Sequence, residues 1–354
     1  MRPFRYSPLP AHVIFGFGTT SELKAEVERL GCSRALVITT HEQGPLADLA
    51  RAKLGAAFAG AFTQATMHTP VEVTERALAY ASEIQADCYV GIGGGSTTGL
   101  CKALALRTDV PQIVLPTTYA GSEATPILGE TAAGQKTTQR TFKVLPESII
   151  YDVDLTMTLP KRLAAVSGMN AIAHAVEALY AKELDPVIAL LAQDGIRALA
   201  KALPVINENP DDRDARSDAL YGAWACGACL GAVGMALHHK LCHVLGGSFN
   251  LPHAETHAIV LPHAAAYNRS HAEQAMTLAA AALGAVDAPA GLFALNRKLG
   301  VPLALKDIGM PATGIDRAVE LAMSSPYWNP RPIEEVPLRM LLENAYEGRA
   351  PDAA

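Results

Sequence analysis

The pattern of apolar residues changes near Leu159, and this change constrains the fold more than any other feature of the sequence. Before Leu159, short β-branched segments alternate with amphipathic helical patterns such as residues 71–84. After it, long Ala- and Leu-rich helical patterns follow with no convincing strand. Continuous apolar strands are buried on both faces, so the first part predicts a parallel sheet covered by helices. The predicted strands are residues 35–40, 88–93, 112–116 and 148–153.

The chain is therefore predicted to fold as two domains. Residues 1–159 are expected to form an α/β domain and residues 160–354 an all-helical domain, because a proline suits the start of a helix at the boundary. Within the second domain, a helix is predicted over residues 163–182, and Pro186 is expected to open the next one. The polar residues 207–218 are expected to form a surface loop rather than a linker.

The composition excludes several classes of protein. Hydrophobic residues make up 50% of the chain and charged residues 18%, which is typical of a folded globular protein. The net charge of −6 is spread without a basic stripe, so no nucleic-acid partner is expected. With no signal-peptide pattern and no apolar run of about 20 residues, a cytoplasmic protein without a membrane partner is predicted. The six cysteines show no framework spacing and are expected to be reduced thiols.

A glycine-rich segment follows one of the predicted strands. Residues 88–93 lead directly into Gly93, Gly94, Gly95 and Ser96, and a helical pattern follows. Glycines allow the backbone to approach a pyrophosphate closely, and the N-terminus of a helix binds its charge. The segment lacks the glycine spacing of the Rossmann fingerprint, so an ordinary tight turn remains an alternative for this segment alone.

A second polar loop strengthens the prediction of a nucleotide site. Thr117, Thr118 and Ser122 follow the predicted strand over residues 112–116. Open α/β sheets bind their ligands in a crevice at the carboxyl ends of neighbouring parallel strands. Two such loops at adjacent strand ends therefore predict a dinucleotide cofactor.

Histidines are concentrated in the helical half of the chain. Asn170 and His174 are four residues apart, as are His239 and His243, so each pair projects from one face of its helix. His253 follows after a turn-like pair of glycines. One such pair would be typical of buried core histidines, but three positions with this spacing predict a functional site.

These motifs together resemble the iron-containing (group III) alcohol dehydrogenase family along nearly the whole chain. The resemblance implies a dehydroquinate synthase-like fold, in which a Rossmann-like NAD(P)-binding domain precedes a helical domain, and it implies a homodimer. Family members hold a divalent metal in the cleft between the domains with one Asp and three His. By position, the ligands would be Asn170, His174, His239 and His253. The resemblance also places Lys136 near the nicotinamide and its ribose.

Three departures from the family pattern bear on the chemistry. Asn170 replaces the Asp ligand, and a neutral amide is a weak donor to a hard divalent cation, so no metal is expected. Thr40 stands where NAD-selective members carry an Asp for the adenosine ribose, so both NADH and NADPH are expected as cofactors. Lys240 stands between the paired histidines, where the family has a small residue.

The departures resemble one branch of the family, the maleylacetate reductases of aromatic degradation, which reduce the carbon–carbon double bond of a dicarboxylate. The resemblance implies that a hydride adds to the alkene and that protein cations stabilise the resulting enolate. His243 is then the candidate for the group nearest the nicotinamide. His174, His239 and His253 would form a cationic pocket, with Asn170 hydrogen-bonded within it.

Other residues have two open interpretations each. Lys240 could bind a substrate carboxylate or point into solvent, and Arg331 is a second candidate for that carboxylate. Trp328 could cover the substrate or anchor a surface loop. Packing or structural roles are predicted for His238, His257, His263, Cys226 and Cys229.

Two alternative functions remain at this point. The first is a metal-dependent alcohol dehydrogenase of the same family that acts on a C–OH bond. The second is a nucleotide-binding protein whose catalytic pocket has decayed, which the Asn at position 170 would support.

Overall fold

A computed structural model describes residues 11–132, 135–324 and 327–351, together with residues 4, 6 and 9. The side chains at positions 135 and 136 are not among the parts described. The chain divides into two compact units. We call residues Leu9–Leu159 the α/β unit and the residues from Pro160 onward the helical unit. A parallel sheet in the first and helices in the second confirm the predicted fold class.

The α/β unit contains a six-stranded parallel sheet with the order β1-β8-β5-β4-β2-β3. Its strands are β1 (His12–Gly16), β2 (Ala35–Ile38), β3 (Phe58–Phe62), β4 (Cys88–Gly93), β5 (Gln112–Pro116) and β8 (Ser148–Asp152). Its helices are α1 (Leu23–Arg29), α2 (Gly44–Leu54), α3 (Val71–Glu83) and α4 (Gly95–Thr108). The chain runs outward from β2 to β3 and returns to place β4 on the other side of β2. This reversal creates a switch point between β2 and β4.

All four predicted strands are confirmed, but several strands were not predicted. The segment of β3, FAGAF, contains Ala and Gly, which have weak strand propensity, so its pattern carries little signal. An antiparallel pair, β6 (Ile127–Ala132) and β7 (Gln135–Arg140), was also missed. The missed pair follows the predicted polar loop after β5 and lies outside the main sheet.

The described part of the helical unit contains helices and no strand, as predicted. Its helices are α5 (Lys161–Leu179), α6 (Pro186–Glu208), α7 (Arg213–Ala232), α8 (Leu237–Phe249), α9 (His253–Asn268), α10 (Glu273–Leu283), α11 (Ala288–Leu299), α12 (Gly314–Met323) and α13 (Glu335–Glu347). Pro186 opens α6 as expected, and Asp185 caps it by accepting from the backbone amides of Val187 and Ile188 at 2.8 and 3.0 Å.

The loop predicted over residues 207–218 is wrong over most of its length. Helix α6 continues to Glu208 and α7 begins at Arg213, so only residues 209–212 connect them. Asp212 accepts a hydrogen bond from the backbone amide of Ala215 at 2.8 Å and caps α7. A cap of this kind starts a helix within a polar sequence that composition alone assigns to a loop.

One apolar stretch of the helical unit, Glu273–Leu299, is long and apolar enough to cross a membrane by length and composition. In the structure it forms two helices, α10 and α11, that are separated at Gly284, where φ is +67°. Helix α10 packs against α6, and α11 packs against α9. Both helices of the stretch thus pack against other helices of the unit.

The core of the helical unit orients the histidine-rich helix α8. Leu237, Leu241 and Leu245 are fully buried and pack in a cluster with α9, α12 and α13. Because these leucines recur every four residues, they occupy one face of α8. His239 and His243 project from the opposite side of the same helix, away from this leucine core.

Candidate functional site

Three loops of the α/β unit meet at the carboxyl ends of β2, β4 and β5. The backbone amide of Thr117 donates to the carbonyl of Gly93 at 3.0 Å. The amide of Gln43, which follows β2, donates from Nε2 to Thr117 Oγ1 at 3.0 Å. These contacts join the loops around the switch point, where open α/β sheets bind their ligands. The structure therefore brings the predicted cofactor residues of these loops together.

The glycine turn before α4 is shaped by close contacts. A Cβ at Gly94 would lie 2.9 Å from Thr118 Cγ2, and a Cβ at Gly93 would lie 2.4 Å from Thr97 Oγ1. In contrast, a Cβ at Gly95 would have no atom within 4 Å. The backbone is thus unobstructed at Gly95, the first residue of α4. Ser96 is the next residue of this turn. The amides of a first helical turn lack helical partners, so this end of α4 can bind a phosphate.

A buried lysine, which the sequence analysis missed, holds the loop that carries Ser122. Lys102 Nζ donates to the carbonyl oxygens of Ser122 and Thr125, both at 2.6 Å, and of Ile127 at 3.0 Å. Burial lowers the pKa of Lys102 to about 7, although Glu123 opposes this effect. The three carbonyl acceptors match the three donors of an ammonium. A single lysine in the apolar sequence of α4 was the available signal for this role.

The region after β2 contains a carboxylate as well as Thr40. Thr40 is half-buried, and Glu42 lies exposed two residues further on. Hydrogen bonds from its own backbone amide and from the Thr40 hydroxyl lower the pKa of Glu42. Glu42 is thus a carboxylate near this end of β2 that the sequence analysis did not identify. The side chain of Lys136, which was placed near the nicotinamide, lies outside the described residues.

The histidines of the helical unit form one cluster. The rings of His174 and His239 stack with their centroids 5.3 Å apart, and the His243 centroid lies 6.3 Å from that of His239. The His257 centroid lies 5.0 Å from that of His239 and 4.3 Å from that of His253. The four predicted site histidines are thus brought together, with His257 at the centre of the cluster.

The cluster has a buried part and an accessible part. Asn170, His174 and His239 are at most 4% exposed, whereas His243 and His253 are half-buried. Asn170 Oδ1, His174 Nδ1 and His239 Nε2 have no hydrogen-bond partner among the described residues. An unpaired buried polar atom costs about 1–3 kcal/mol. These atoms therefore favour a polar occupant in the buried part.

The charge of the buried part differs from the prediction. Burial, followed by the nearby His239 and His253, lowers the pKa of His174 well below its usual value. His174 is thus a neutral imidazole at pH 7, because burial disfavours the charged form. The expectation of a cationic pocket is wrong for this residue.

Glu177 is a buried carboxylate at the cluster that the sequence analysis did not identify. One of its carboxylate oxygens accepts from the backbone amide of His238 at 2.9 Å, and the other contacts His239 Nδ1. A carboxylate at Nδ1 orients an imidazole and leaves its Nε2 for the site. Glu177 follows His174 by three residues on α5, and this spacing on one helical face was the available signal.

His238 and His257 are more involved in the cluster than their predicted packing roles. Both are fully buried, and His238 Nε2 lies 3.0 Å from His257 Nδ1. Burial lowers the pKa of both side chains well below the usual value. His263 lies apart from them and packs against the ring of Phe293, with a centroid distance of 6.4 Å, as a structural role predicts.

The two candidate carboxylate-binding cations have different surroundings. Lys240 is half-buried, with Nζ 5.5 Å from the ring centroid of Tyr327, so it does not extend freely into solvent. The guanidinium of Arg331 stacks over Tyr267 at 4.4 Å and donates to its carbonyl at 3.1 Å. Arg331 lines a separate pocket of about 180 Å³ whose lining includes His263 and none of the clustered histidines.

The last sequence candidates are Trp328, which is exposed, and Cys226 and Cys229, which are buried. Trp328 is 40% exposed, which fits a surface position. Cys226 and Cys229 are buried, and burial raises the pKa of both thiols. A Cβ at Gly195 would lie 2.8 Å from Cys226 Sγ, so these cysteines occupy a closely packed contact between α6 and α7, as predicted.

The donor atoms at the family ligand positions suit a hard divalent cation poorly. Asn170, His174, His239 and His253 offer one amide and three imidazoles, without the carboxylate that a hard cation prefers. Within the described ranges, one group of at least three His, Cys, Asp or Glu side chains has ligand atoms within 4.8 Å of one another. That group is His238, Cys242 and His257, and it includes none of these four positions. The buried part is better suited to a polar organic ligand.

Comparison with known proteins covers both units. The sequence profile described as "Iron-containing alcohol dehydrogenase" matches residues 10–153, and "Fe-containing alcohol dehydrogenase family, C-terminal" matches residues 164–346. The maleylacetate reductase of Burkholderia cepacia is 52% identical over 99% of this chain and 100% of its own. That of Rhizobium sp. strain MTP-10005 is 51% identical over the same shares.

Solved structures agree with these matches. The crystal structure of maleylacetate reductase from Agrobacterium tumefaciens superposes with a TM-score of 0.96 at 52% identity. A putative alcohol dehydrogenase from Ralstonia eutropha JMP134 superposes with a TM-score of 0.98 at 55% identity. Each comparison covers 99% of this chain and 100% of the other.

Proposed function

Because this chain belongs to the iron-containing alcohol dehydrogenase family, we propose that it is a maleylacetate reductase, which reduces the carbon–carbon double bond of maleylacetate to give 3-oxoadipate. One structural observation carries the proposal. Asn170 takes the place of the family's carboxylate ligand and lies buried among histidines whose polar atoms lack partners. The side-chain amide nitrogen of Asn170 can donate a hydrogen bond to a ketone oxygen of the substrate, whereas a hard cation would lack its carboxylate.

The chemistry requires a hydride, a site for the developing charge and a proton. Bound NADH or NADPH supplies the hydride to the alkene carbon that is β to the ketone. The electron pair of the double bond then moves toward the ketone and gives an enolate. The amide nitrogen of Asn170 is buried where it can donate to this oxygen, and His239 can donate from Nε2 when both of its ring nitrogens carry a proton. Preorganised donors lower the barrier to such a step.

Protonation of the enolate carbon completes the reaction, and His243 is the candidate donor. His243 is half-buried beside His239, so it can exchange its proton with water after each turnover. The half-buried Lys240 and His253 are candidates to bind the substrate carboxylates. His174 contributes a neutral hydrogen-bonding group to the pocket.

The α/β unit provides the proposed cofactor site. The open backbone at Gly95 and Ser96 suits the pyrophosphate, with Gly93 and Gly94 packed closely behind it. The loop residues Thr117, Thr118 and Ser122 border the same crevice, and Thr40 lies at its adenosine end. Lys136 remains a candidate from the family resemblance alone.

The function is tested by the substrate and metal dependence of cofactor oxidation. NADH oxidation is measured with maleylacetate and with a panel of simple aldehydes and ketones, before and after exhaustive chelation. We expect turnover of maleylacetate that survives chelation. Turnover of simple carbonyl compounds that is lost on chelation and restored by iron or zinc would instead establish a metal-dependent alcohol dehydrogenase.

We also propose a cytoplasmic homodimer that acts in aromatic degradation. The six cysteines are free thiols, which suits a reducing compartment. The dimer follows from the family resemblance, and light scattering coupled to size exclusion tests it. A mass of one chain under assay conditions would contradict it.

A further inference from the structure

A second group of ligand atoms lies beside the family ligand positions and shares no residue with them. His238 and Cys242 are one turn apart on α8, and His257 faces them from α9. All three are at most 1% exposed. One ligand atom of each lies within 4.8 Å of those of the other two.

The spacing of these atoms is close to that of a zinc site. His238 Nε2 lies 3.0 Å from His257 Nδ1 and 3.7 Å from Cys242 Sγ. Zinc with its usual bond lengths and tetrahedral angles separates two nitrogens by about 3.3 Å and a nitrogen from a sulfur by about 3.6 Å. Shifts of a few tenths of an ångström would therefore admit the ion in place of the contact between the two imidazoles.

The donor types select a soft or borderline metal. A thiolate with two imidazoles favours zinc over magnesium, calcium or manganese, which prefer oxygen ligands. Neutral imidazoles and a thiolate are the forms in which these side chains bind metals. We propose that His238, Cys242 and His257 form a binding site for one zinc ion per chain.

The proposed zinc site adjoins the histidine cluster. The His257 ring centroid lies 4.3 Å from that of His253 and 5.0 Å from that of His239. On binding, the Cys242 thiol releases its proton to solvent and its thiolate bonds the metal. Zinc would then fix His257 at the centre of the histidine cluster and would take no part in hydride transfer. Metal content and reductase activity would thus be independent properties of this chain.

Cobalt replaces zinc as a spectroscopic probe in the test. The full chain is treated with chelator, dialysed and titrated with Co²⁺ while its near-ultraviolet absorption is recorded. We expect a thiolate-to-cobalt charge-transfer band that saturates at one equivalent and is displaced by Zn²⁺. The band should disappear in Cys242→Ser and persist in Cys226→Ser, the matched control, because Cys226 is equally buried but lies in the contact between α6 and α7.

Several results would overturn the site. If the wild-type protein shows no thiolate-to-cobalt band, the proposed site is wrong. This result needs no variant, so misfolding of Cys242→Ser cannot obscure it. An unchanged thiolate band in Cys242→Ser would place the cobalt on a different cysteine. Maleylacetate reduction is measured on the same chelated protein. Absence of that activity beside an intact cobalt band would contradict the proposed function and leave the metal site standing.

Discussion

Glu177 accepts a hydrogen bond from His239 through one carboxylate oxygen, and its other oxygen accepts from the backbone amide of His238 at 2.9 Å. This arrangement joins α5 to α8 at the site. The ligand position that carries Asp in the family is occupied here by Asn170. The carboxylate near the pocket is instead that of Glu177, and it contacts the imidazole of His239. Glu177 therefore orients a hydrogen-bonding group for the substrate.

The first prediction concerns this orientation. In Glu177→Gln the amide can still accept one hydrogen bond, but it no longer holds the Nδ1–H of His239 with a charged acceptor. Loss of such an outer partner typically lowers activity about 10- to 100-fold. We expect this decrease in kcat for maleylacetate, with the KM for NADH unchanged because the cofactor residues lie in the other unit. Glu183→Gln, at an exposed carboxylate of the helical unit, is the control; equal effects of both variants would contradict the role of Glu177.

A second prediction addresses the missing carboxylate ligand. Asn170→Asp restores the oxygen donor that a hard divalent cation prefers beside His174, His239 and His253. We expect the variant to retain iron or zinc through dialysis at these positions and to lose maleylacetate reduction, because the ion would occupy the place of the ketone oxygen. Metal analysis in the Cys242→Ser background separates this site from the proposed zinc site. An Asn170→Asp protein that binds no additional metal and keeps full activity would show that residue 170 does not determine whether the site holds a metal or the substrate.

The third prediction is a stability change at acidic pH. Burial lowers the pKa values of His174, His238 and His257 in the folded chain. In the unfolded chain, a histidine has a pKa near 6.5. At a pH below 6.5, the unfolded state therefore binds protons that the folded state does not. The free energy of unfolding of the metal-free protein should therefore decrease as the pH falls through 6.5. Each histidine contributes up to about 1.4 kcal/mol per pH unit.

Urea denaturation between pH 7.5 and 5.5 measures this slope. His238→Asn should make it shallower, and His271→Asn, at an exposed position, should not. A pH-independent free energy of unfolding across this range would show that the buried histidines take up protons in the folded state.

The sequence predicted those parts of the fold and site that depend on local patterns. The strand β4 and its glycine turn were predicted because the apolar run and the glycines are adjacent in the chain. The role of Glu177 depends on His239, 62 residues away, and that of Lys102 depends on carbonyls more than 20 residues away. Such contacts form only in the folded chain, so the local sequence can mark Glu177 or Lys102 but does not show its partner. The charge of His174 was likewise wrong because burial is not readable from residue type.

The last prediction concerns the choice of cofactor. The Glu42 carboxylate is exposed two residues beyond Thr40 at the end of β2, where α/β sheets bind the adenosine ribose. It would accept hydrogen bonds from the ribose hydroxyls of NADH and repel the 2′-phosphate of NADPH. Since hydrogen bonds to charged groups contribute about 1.5–3 kcal/mol, Glu42→Gln should lower the preference for NADH over NADPH by about tenfold or more.

The measurement is kcat/KM for each cofactor at saturating maleylacetate. Glu28→Gln, at an exposed position of α1 that pairs with Lys24, is the control and should leave the ratio unchanged. Thr40→Val removes the hydroxyl that helps lower the pKa of Glu42 and should shift the ratio in the same direction by less, because Glu42 remains charged. If Glu42→Gln lowers kcat/KM equally for both cofactors, the carboxylate does not contact the ribose, and the preference is set elsewhere in the crevice.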